Sequence, residues 1–127
     1  MDIEKLGSKI IGAAIEVHKT LGPGLLESAY EESLCHELSL RSLSFERQKP
    51  LSLTYKGKLL DCGYRLDIVV ENRIILELKT CEEIEPIHKA QLLTYLKLSG
   101  LHLGFLFNFN VPIKRDGIVR IVNELNE

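Results

Sequence analysis

The chain has 127 residues, of which 45% are hydrophobic and 27% charged, and its formal net charge is −2. That size and balance fit one globular domain spanning residues 1–127 and exclude a disordered or fibrous chain. No apolar run approaches the ~20 residues that cross a bilayer, and the near-neutral balance lacks the broad basic footprint of most nucleic-acid binders.

The first five residues, Met1-Asp2-Ile3-Glu4-Lys5, are too charged for a secretory signal. Cys35, Cys62 and Cys81 are odd in number and lack C-x-x-C spacing, so neither a disulfide framework nor a zinc knuckle is indicated. A cytoplasmic protein with reduced thiols is expected.

Helical periodicity runs over residues 5–20, where Leu6, Ile10, Ile11, Ala14, Val17, His18 and Leu21 share a face. His18 on that face reads first as a core histidine. Gly22-Pro23-Gly24 breaks the helix, and a second one is expected over 24–40, with Leu26, Tyr30, Leu34 and Leu38 at i, i+4 steps. Glu27 falls inside that apolar arc, so its carboxylate faces a polar cleft, is paired, or compensates the dipole of the first turn. Strands are expected over 45–49, 51–55, 65–70 and 74–80, with Lys56-Gly57 as a turn. Pro86 opens a helix that Gly100 ends. On it Gln91 shares a stripe with Ile87, Tyr95 and Leu98, the face expected to meet the sheet. Residues 102–109 and 117–122 complete a mixed α/β fold in the order α-α-β-β-β-β-α-β-β, with Asn108 and Asn110 at a strand end where they can line a cleft.

The two middle strands carry charge where strands this apolar should not. Leu66, Ile68 and Val70 alternate with Asp67 and Val69; Ile74, Leu76 and Leu78 alternate with Ile75, Glu77 and Lys79. A hairpin symmetric about Asn72 sets Asp67 opposite Glu77, Leu66 opposite Leu78 and Ile68 opposite Leu76, so one face is continuous core. Opposed Cβ atoms lie about 5 Å apart, close enough for two carboxylates to share a cation. A two-residue turn would put the acids on opposite faces, so a three-residue loop or a bulge is expected at Glu71-Asn72-Arg73. The same register brings Arg65 near Lys79, which calls for an acid, an anion or a bulge near Gly63. Ionised groups on a half-buried face cost free energy unless paired or metal-bound. A surface salt bridge between Asp67 and Lys79 is the plain alternative, though Val69 and Ile75 beside the charges do not suit a solvated face.

Asp67 followed ten residues later by Glu77-Leu78-Lys79, after a helix carrying another acid, resembles the PD-(D/E)xK nuclease superfamily. The segment Gly24-Leu25-Leu26-Glu27-Ser28-Ala29-Tyr30 is similar to the signature of the GxxExxY family within it, and Gln91-Leu92-Leu93-Thr94-Tyr95 resembles the Q-x-x-x-Y motif of RecB-like nucleases. The resemblance covers about residues 9–123 and implies the αβββαβ core of restriction endonucleases with an extra N-terminal helix. It implies Asp67, Glu77 and the Leu78 carbonyl as metal ligands, Glu27 as a third acid, and Lys79 and Gln91 as catalytic partners. Tyr30, Tyr95 and His18 take supporting roles, His18 because a helical histidine reaches the metal in RecB-like enzymes.

Oxygen ligands of this kind suit Mg²⁺ or Mn²⁺ rather than zinc. The expected chemistry is metal-dependent hydrolysis of nucleic acid, DNA before RNA, leaving a 5′-phosphate. A loose basic group, Arg41, Arg47, Lys49, Lys56 and Lys58, can track a phosphate backbone or simply protect strand edges. A non-catalytic binding module on the same fold is the alternative. A two-carboxylate glycosidase is disfavoured, because Lys79 beside Glu77 would lower the pKa that a general acid needs raised. No residue pattern fixes an oligomeric state, though so small a core is open to forming a homodimer or a larger assembly.

Overall fold

The computed structural model describes residues 1–124; the last three positions of the expected domain lie outside that range. The elements in chain order are α1 (Ile3–Leu21), α2 (Glu27–Leu40), β1 (Phe45–Tyr55), β2 (Lys58–Val70), β3 (Ile74–Lys79), α3 (Pro86–Ser99), β4 (Leu103–Asn108), α4 (Ile113–Asp116) and β5 (Ile118–Val122). One sheet runs in the order β1-β2-β3-β4-β5. Among the described residues only β3 and β4 pair in parallel, joined by the crossover through α3. The result is the mixed α/β architecture expected, and it contains the αβββαβ succession from α2 to β4.

Burial on both faces explains the character of the central strands. All six residues of β4 are buried, as are the first five of β3, which is why these strands read as apolar runs rather than alternations. The α1 and α2 layer buries Leu6, Ile10, Tyr30, Leu34 and Leu38 against Ile68, Leu76, Phe105 and Phe107. On the other face α3 sets Leu92, Tyr95 and Leu96 on Val69, Ile75 and Leu106. Gly104 permits that approach: a Cβ there would lie 3.0 Å from a Leu92 methyl and 3.2 Å from the Ile75 carbonyl. Asp2 caps α1 by accepting from the Lys5 amide at 2.8 Å. Gly100, at φ 76°, ends α3 in the left-handed conformation.

Four expectations need correction. The segments 45–49 and 51–55 form one strand, because β1 is the sheet edge and Pro50 there removes no needed ladder bond. β2 begins at Lys58 rather than at 65, so the hairpin with β1 is long and the order becomes α-α-β-β-β-α-β-α-β. The short α4 was not expected; at four residues it is too brief to leave a periodic signal. The α3 stripe is also rotated from the one expected. Leu92, Tyr95 and Leu96 face the sheet, whereas Ile87 is 70% exposed and Gln91 is exposed. Apolar residues occur all round that helix, so periodicity alone did not select the buried side. Among the described residues, no helix is long and apolar enough to cross a membrane.

Candidate active site

The β2–β3 hairpin follows the register expected as far as it runs: Val70 pairs with Ile74, Val69 with Ile75 and Ile68 with Leu76. The three-residue connection holds Glu71 and Asn72 at φ 53° and 54°, closed by the Arg73 amide on the Val70 carbonyl at 3.0 Å. The next rung would join Asp67 to Glu77, and there the backbone ladder stops. The Asp67 amide donates instead to Glu77 Oε2 at 2.8 Å, and the Leu78 amide donates to Asp67 Oδ2 at 2.9 Å. Each carboxylate therefore takes one backbone donor from the opposite strand and leaves its second oxygen without a backbone partner.

The interruption extends to the other edge of β2. Arg47 pairs with Ile68 and Lys49 with Leu66, but the intervening Gln48–Asp67 rung is missing and Gln48 sits at φ 49°. One consequence corrects the face expected for Leu66. It packs with Val69 and Ile75 under α3, not with Ile68 and Val70 under α1 and α2. The alternation of β2 breaks at Asp67, the residue whose side chain does work that the ladder does elsewhere.

The electrostatics follow from that burial. Glu77 is 7% exposed. Burial first, and then the charge of Asp67, push its carboxyl up to about 8. Asp67 is also raised, chiefly by burial, with the Leu78 amide acting against the shift. Glu27, the first residue of α2, is raised by burial and by Asp67. Lys79 ends β3 and its charge lowers all three acids, so the four groups share one field. The described ion pairs do not join Lys79 to Asp67, which sets aside a simple salt bridge between them.

The sequence matches the PD-(D/E)XK nuclease superfamily over residues 4–121. The chain belongs to this superfamily. No curated protein matches it at a significant level. Among solved structures, one described as "Crystal structure of SSO0001" is 19% identical over 95% of this chain and 79% of that one, with a TM-score of 0.43. So distant a likeness adds nothing to the family assignment.

PD-(D/E)XK nucleases generally use divalent metals, and the donor set here can be tested for fit. A buried Glu77 and a half-buried Asp67, both raised by burial, with Glu77 raised further by the charge of Asp67, are the arrangement a divalent cation relieves. Their carboxylate oxygens, with the carbonyl of Leu78 next to Glu77, offer hard ligands of the kind Mg²⁺ and Mn²⁺ take, and the Gln48 side chain also bonds to Asp67. Among the described residues no three His, Cys, Asp or Glu side chains are gathered closely enough to hold an ion by themselves. Glu27 and His18 thus do not complete a ligand set in this conformation, and water or substrate oxygens would fill the remaining positions, as is usual for Mg²⁺.

The other residues singled out in the sequence sort by place. Tyr30 is fully buried; its hydroxyl donates to the Gly22 carbonyl at 2.5 Å and accepts from the Leu25 amide at 3.2 Å. Its ring stacks on Phe109 at 4.5 Å. This gives the Gly24-x-x-Glu27-x-x-Tyr30 spacing a physical meaning: Gly24 turns at φ 98°, Tyr30 pins the turn, and Glu27 enters the helix facing the acids. His18 lies behind, 6.3 Å from the Phe109 ring, with a buried Nε2 that has no hydrogen-bond partner. Tyr95 is 8% exposed, and its hydroxyl is raised by burial and by the charge of Glu77. Gln91 stands outside this group, on the exposed flank of α3.

Two residues were missed or left without a role. Glu31, one turn after Glu27, is 9% exposed and accepts from Arg47 Nη2 at 2.9 Å and Gln48 Nε2 at 2.6 Å. Its charge raises both Asp67 and Glu27. The signal was its i, i+4 spacing from Glu27 on the side of Tyr30 and Leu34, hidden because Glu31-Glu32 reads as a solvated pair. Asn108, fully buried and opposite Lys79, clamps the chain leaving β3. It donates to the Cys81 carbonyl at 2.9 Å and accepts from the Cys81 amide at 3.2 Å.

Proposed function

We propose that this chain is a Mg²⁺- or Mn²⁺-dependent nuclease that hydrolyses phosphodiester bonds at Asp67, Glu77 and Lys79. The observation that carries the reading is the exchange at the Asp67–Glu77 rung, where a half-buried and a buried acid replace backbone pairing, with a lysine two residues on. Structural needs would be met more cheaply by apolar residues there, because buried charge without compensation is destabilising. The Gly24, Glu27 and Tyr30 spacing supports membership of the GxxExxY family as part of the same proposal, and the spacing of Gln91 and Tyr95 supports a RecB-like character.

Asp67 and Glu77, joined by the Leu78 carbonyl, would hold the cation. A bound divalent ion supplies polarisation of the phosphate and a more acidic water. The protein's own groups do the rest. The opposing amides fix both carboxylates, so neither must reorganise on binding. Lys79 places its ammonium where negative charge grows on the phosphate oxygens. Water oxygen bonds to phosphorus, the bond to the 3′ oxygen breaks, and the products carry a 3′-hydroxyl and a 5′-phosphate. Glu27 orients Lys79 or receives the cation through water, and Tyr95 closes the cleft.

DNA is favoured over RNA on the superfamily resemblance, and action in the cytoplasm, as a homodimer or within a larger assembly, belongs to the same proposal. The competing reading is a binding module that keeps the fold without turnover, favoured by the net charge of −2. The test is cleavage of single- and double-stranded DNA and RNA in Mn²⁺, by wild type beside Glu77→Ala and Lys79→Ala. Metal-dependent cleavage lost in both variants supports the nuclease. No cleavage by wild type, or equal cleavage by all three, supports the binding module.

A further inference from the structure

The long β1–β2 hairpin is larger than the sheet requires. β3 has six residues and pairs β2 only from Ile68 onward, so residues 58–66 have no β3 partner. Beyond Leu66 the hairpin projects as a two-stranded arm, in which Leu51 pairs with Tyr64, Leu53 with Leu60 and Tyr55 with Lys58. Lys56 and Gly57, at φ 47° and 82°, close it. At ~3.3 Å per residue it reaches roughly 20 Å from Tyr64 to the tip. An isolated two-stranded arm is marginally stable in water, so such an extension calls for a use.

Charge is segregated onto this arm. Residues 49–65 hold Lys49, Lys56, Lys58 and Arg65 against the single acid Asp61, a net +3 that leaves −5 on the rest of the chain. Large apolar side chains are exposed on the same arm: Tyr55 at 60%, Leu59 at 68% and Tyr64 at 43%. The Lys56 ammonium lies 5.4 Å from the centroid of the Tyr55 ring. Between arm and α3 runs a groove of about 330 Å³, walled by Leu53 and Tyr64 on one side and by Ile87, Thr94 and Leu98 on the other. Tyr95 also lines it, 6.1 Å from the Tyr64 ring, and its hydroxyl feels the charges of Glu77 and Asp67. The groove therefore runs from the arm to Tyr95, which packs against the sheet beside the candidate acids.

We propose that the arm and this groove hold single-stranded nucleic acid, its backbone along Lys56, Lys58 and Lys49 and a base against Tyr64. Basic side chains interleaved with exposed rings are the arrangement that binds single strands, the cations meeting phosphates and each ring stacking on a base. A duplex fits less well. A β-ribbon enters its major groove only with polar groups facing the base edges, whereas the α3 side of this arm presents Leu53 and Tyr64, and α3 would set Ile87 and Leu98 against phosphates. The inference rests on the nuclease reading for the fate of the strand, but not for its binding.

The test is fluorescence anisotropy in EDTA, where no metal-dependent cleavage occurs, with labelled oligothymidylate, oligouridylate and a DNA duplex of equal length. Wild type should bind a single strand at least tenfold more tightly than the duplex; the two single-strand probes decide between DNA and RNA. Lys56→Glu with Lys58→Glu should weaken that binding tenfold or more and reduce the slope of log affinity against log salt by about 1.4. Tyr64→Ala should weaken it several-fold and leave the salt slope unchanged, with melting temperature confirming the fold of each exposed-site variant. Tighter duplex binding, no binding by wild type, or variants that bind like wild type would overturn the proposal. So would a wild-type dimer that the arm variants split without loss of affinity, which would make the groove a contact between two copies of the chain. Single-strand binding without Mn²⁺-dependent cleavage would refute the nuclease and leave the arm standing; cleavage unaffected in the arm variants would do the reverse.

Discussion

Replacing Glu77 by Gln should make the metal-free protein more stable at alkaline pH. The carboxyl is held at about 8, against 4.5 for an ordinary glutamate, by burial and by the charge of Asp67. The folded state thus binds this proton more tightly than the unfolded chain. Stability is then full below pH 4.5 and falls as pH rises toward 8, since ionisation inside the fold is the disfavoured event. At about 1.4 kcal/mol per pH unit, the loss across that window is on the order of a few kcal/mol. For a chain of this size the full loss is a fall in Tm of roughly 15 °C. Glu77→Gln keeps an acceptor for the Asp67 amide, now 2.8 Å from Oε2, and removes the titration. Thermal unfolding in EDTA should show wild type losing stability between pH 5 and pH 8.5, and the variant following a flatter line that lies above it at the alkaline end. Asp67, also raised, leaves a residual slope in the variant. Mn²⁺ should restore wild type at alkaline pH, because a ligand that binds only the folded state stabilises it, and should do little for the variant. Equal pH slopes in the two proteins, or equal stabilisation of both by Mn²⁺, would refute the reasoning.

Two further substitutions test the supports of the site. Tyr30→Phe removes the hydroxyl that holds the Gly22 carbonyl and the Leu25 amide; urea unfolding should show a loss of about 1–3 kcal/mol, and any cleavage activity should drop as Glu27 loses its fixed entry to α2. Gly104→Ala drives a methyl onto Leu92 and the Ile75 carbonyl; the same measurement should show about 1–3 kcal/mol lost as α3 is pushed off the sheet.

What was legible in the sequence depended on how local its cause was. The β2–β3 register followed from two apolar alternations and a short connection, and three observed pairs fit it. Both ends of α3 were set by Pro86 and Gly100, each acting within one turn. Its rotation was not, because Ile87 and Leu98 offered as good a stripe as Leu92 and Leu96 until β4 brought Gly104 close beneath. Nor could alternation reveal that Leu66 changes layer, since that change is caused by Gln48 and Asp67 leaving the ladder together. Glu31 escaped notice for a similar reason: its partners Arg47 and Gln48 are 16 and 17 residues distant.

The failures of pattern reading therefore gather at Asp67. A regular strand would have continued the Gln48, Asp67 and Glu77 rungs and kept Leu66 under α2. Here the side chains of Asp67 and Glu77 take the amides of the opposite strand, so the backbone remains satisfied although the ladder ends. That solution keeps two acids rigid without solvating them, and it uses donors that would otherwise be orphaned. It also explains why Glu31 is buried nearby: by holding Arg47 and Gln48 it secures β1 where the rung to β2 is absent. The rung that the sheet forgoes at Asp67 is thus replaced on both sides by side-chain contacts. A purely structural sheet has no reason to make that exchange, whereas a cation site has one, because carboxylates fixed by backbone amides keep lone pairs aimed by the fold rather than by solvent.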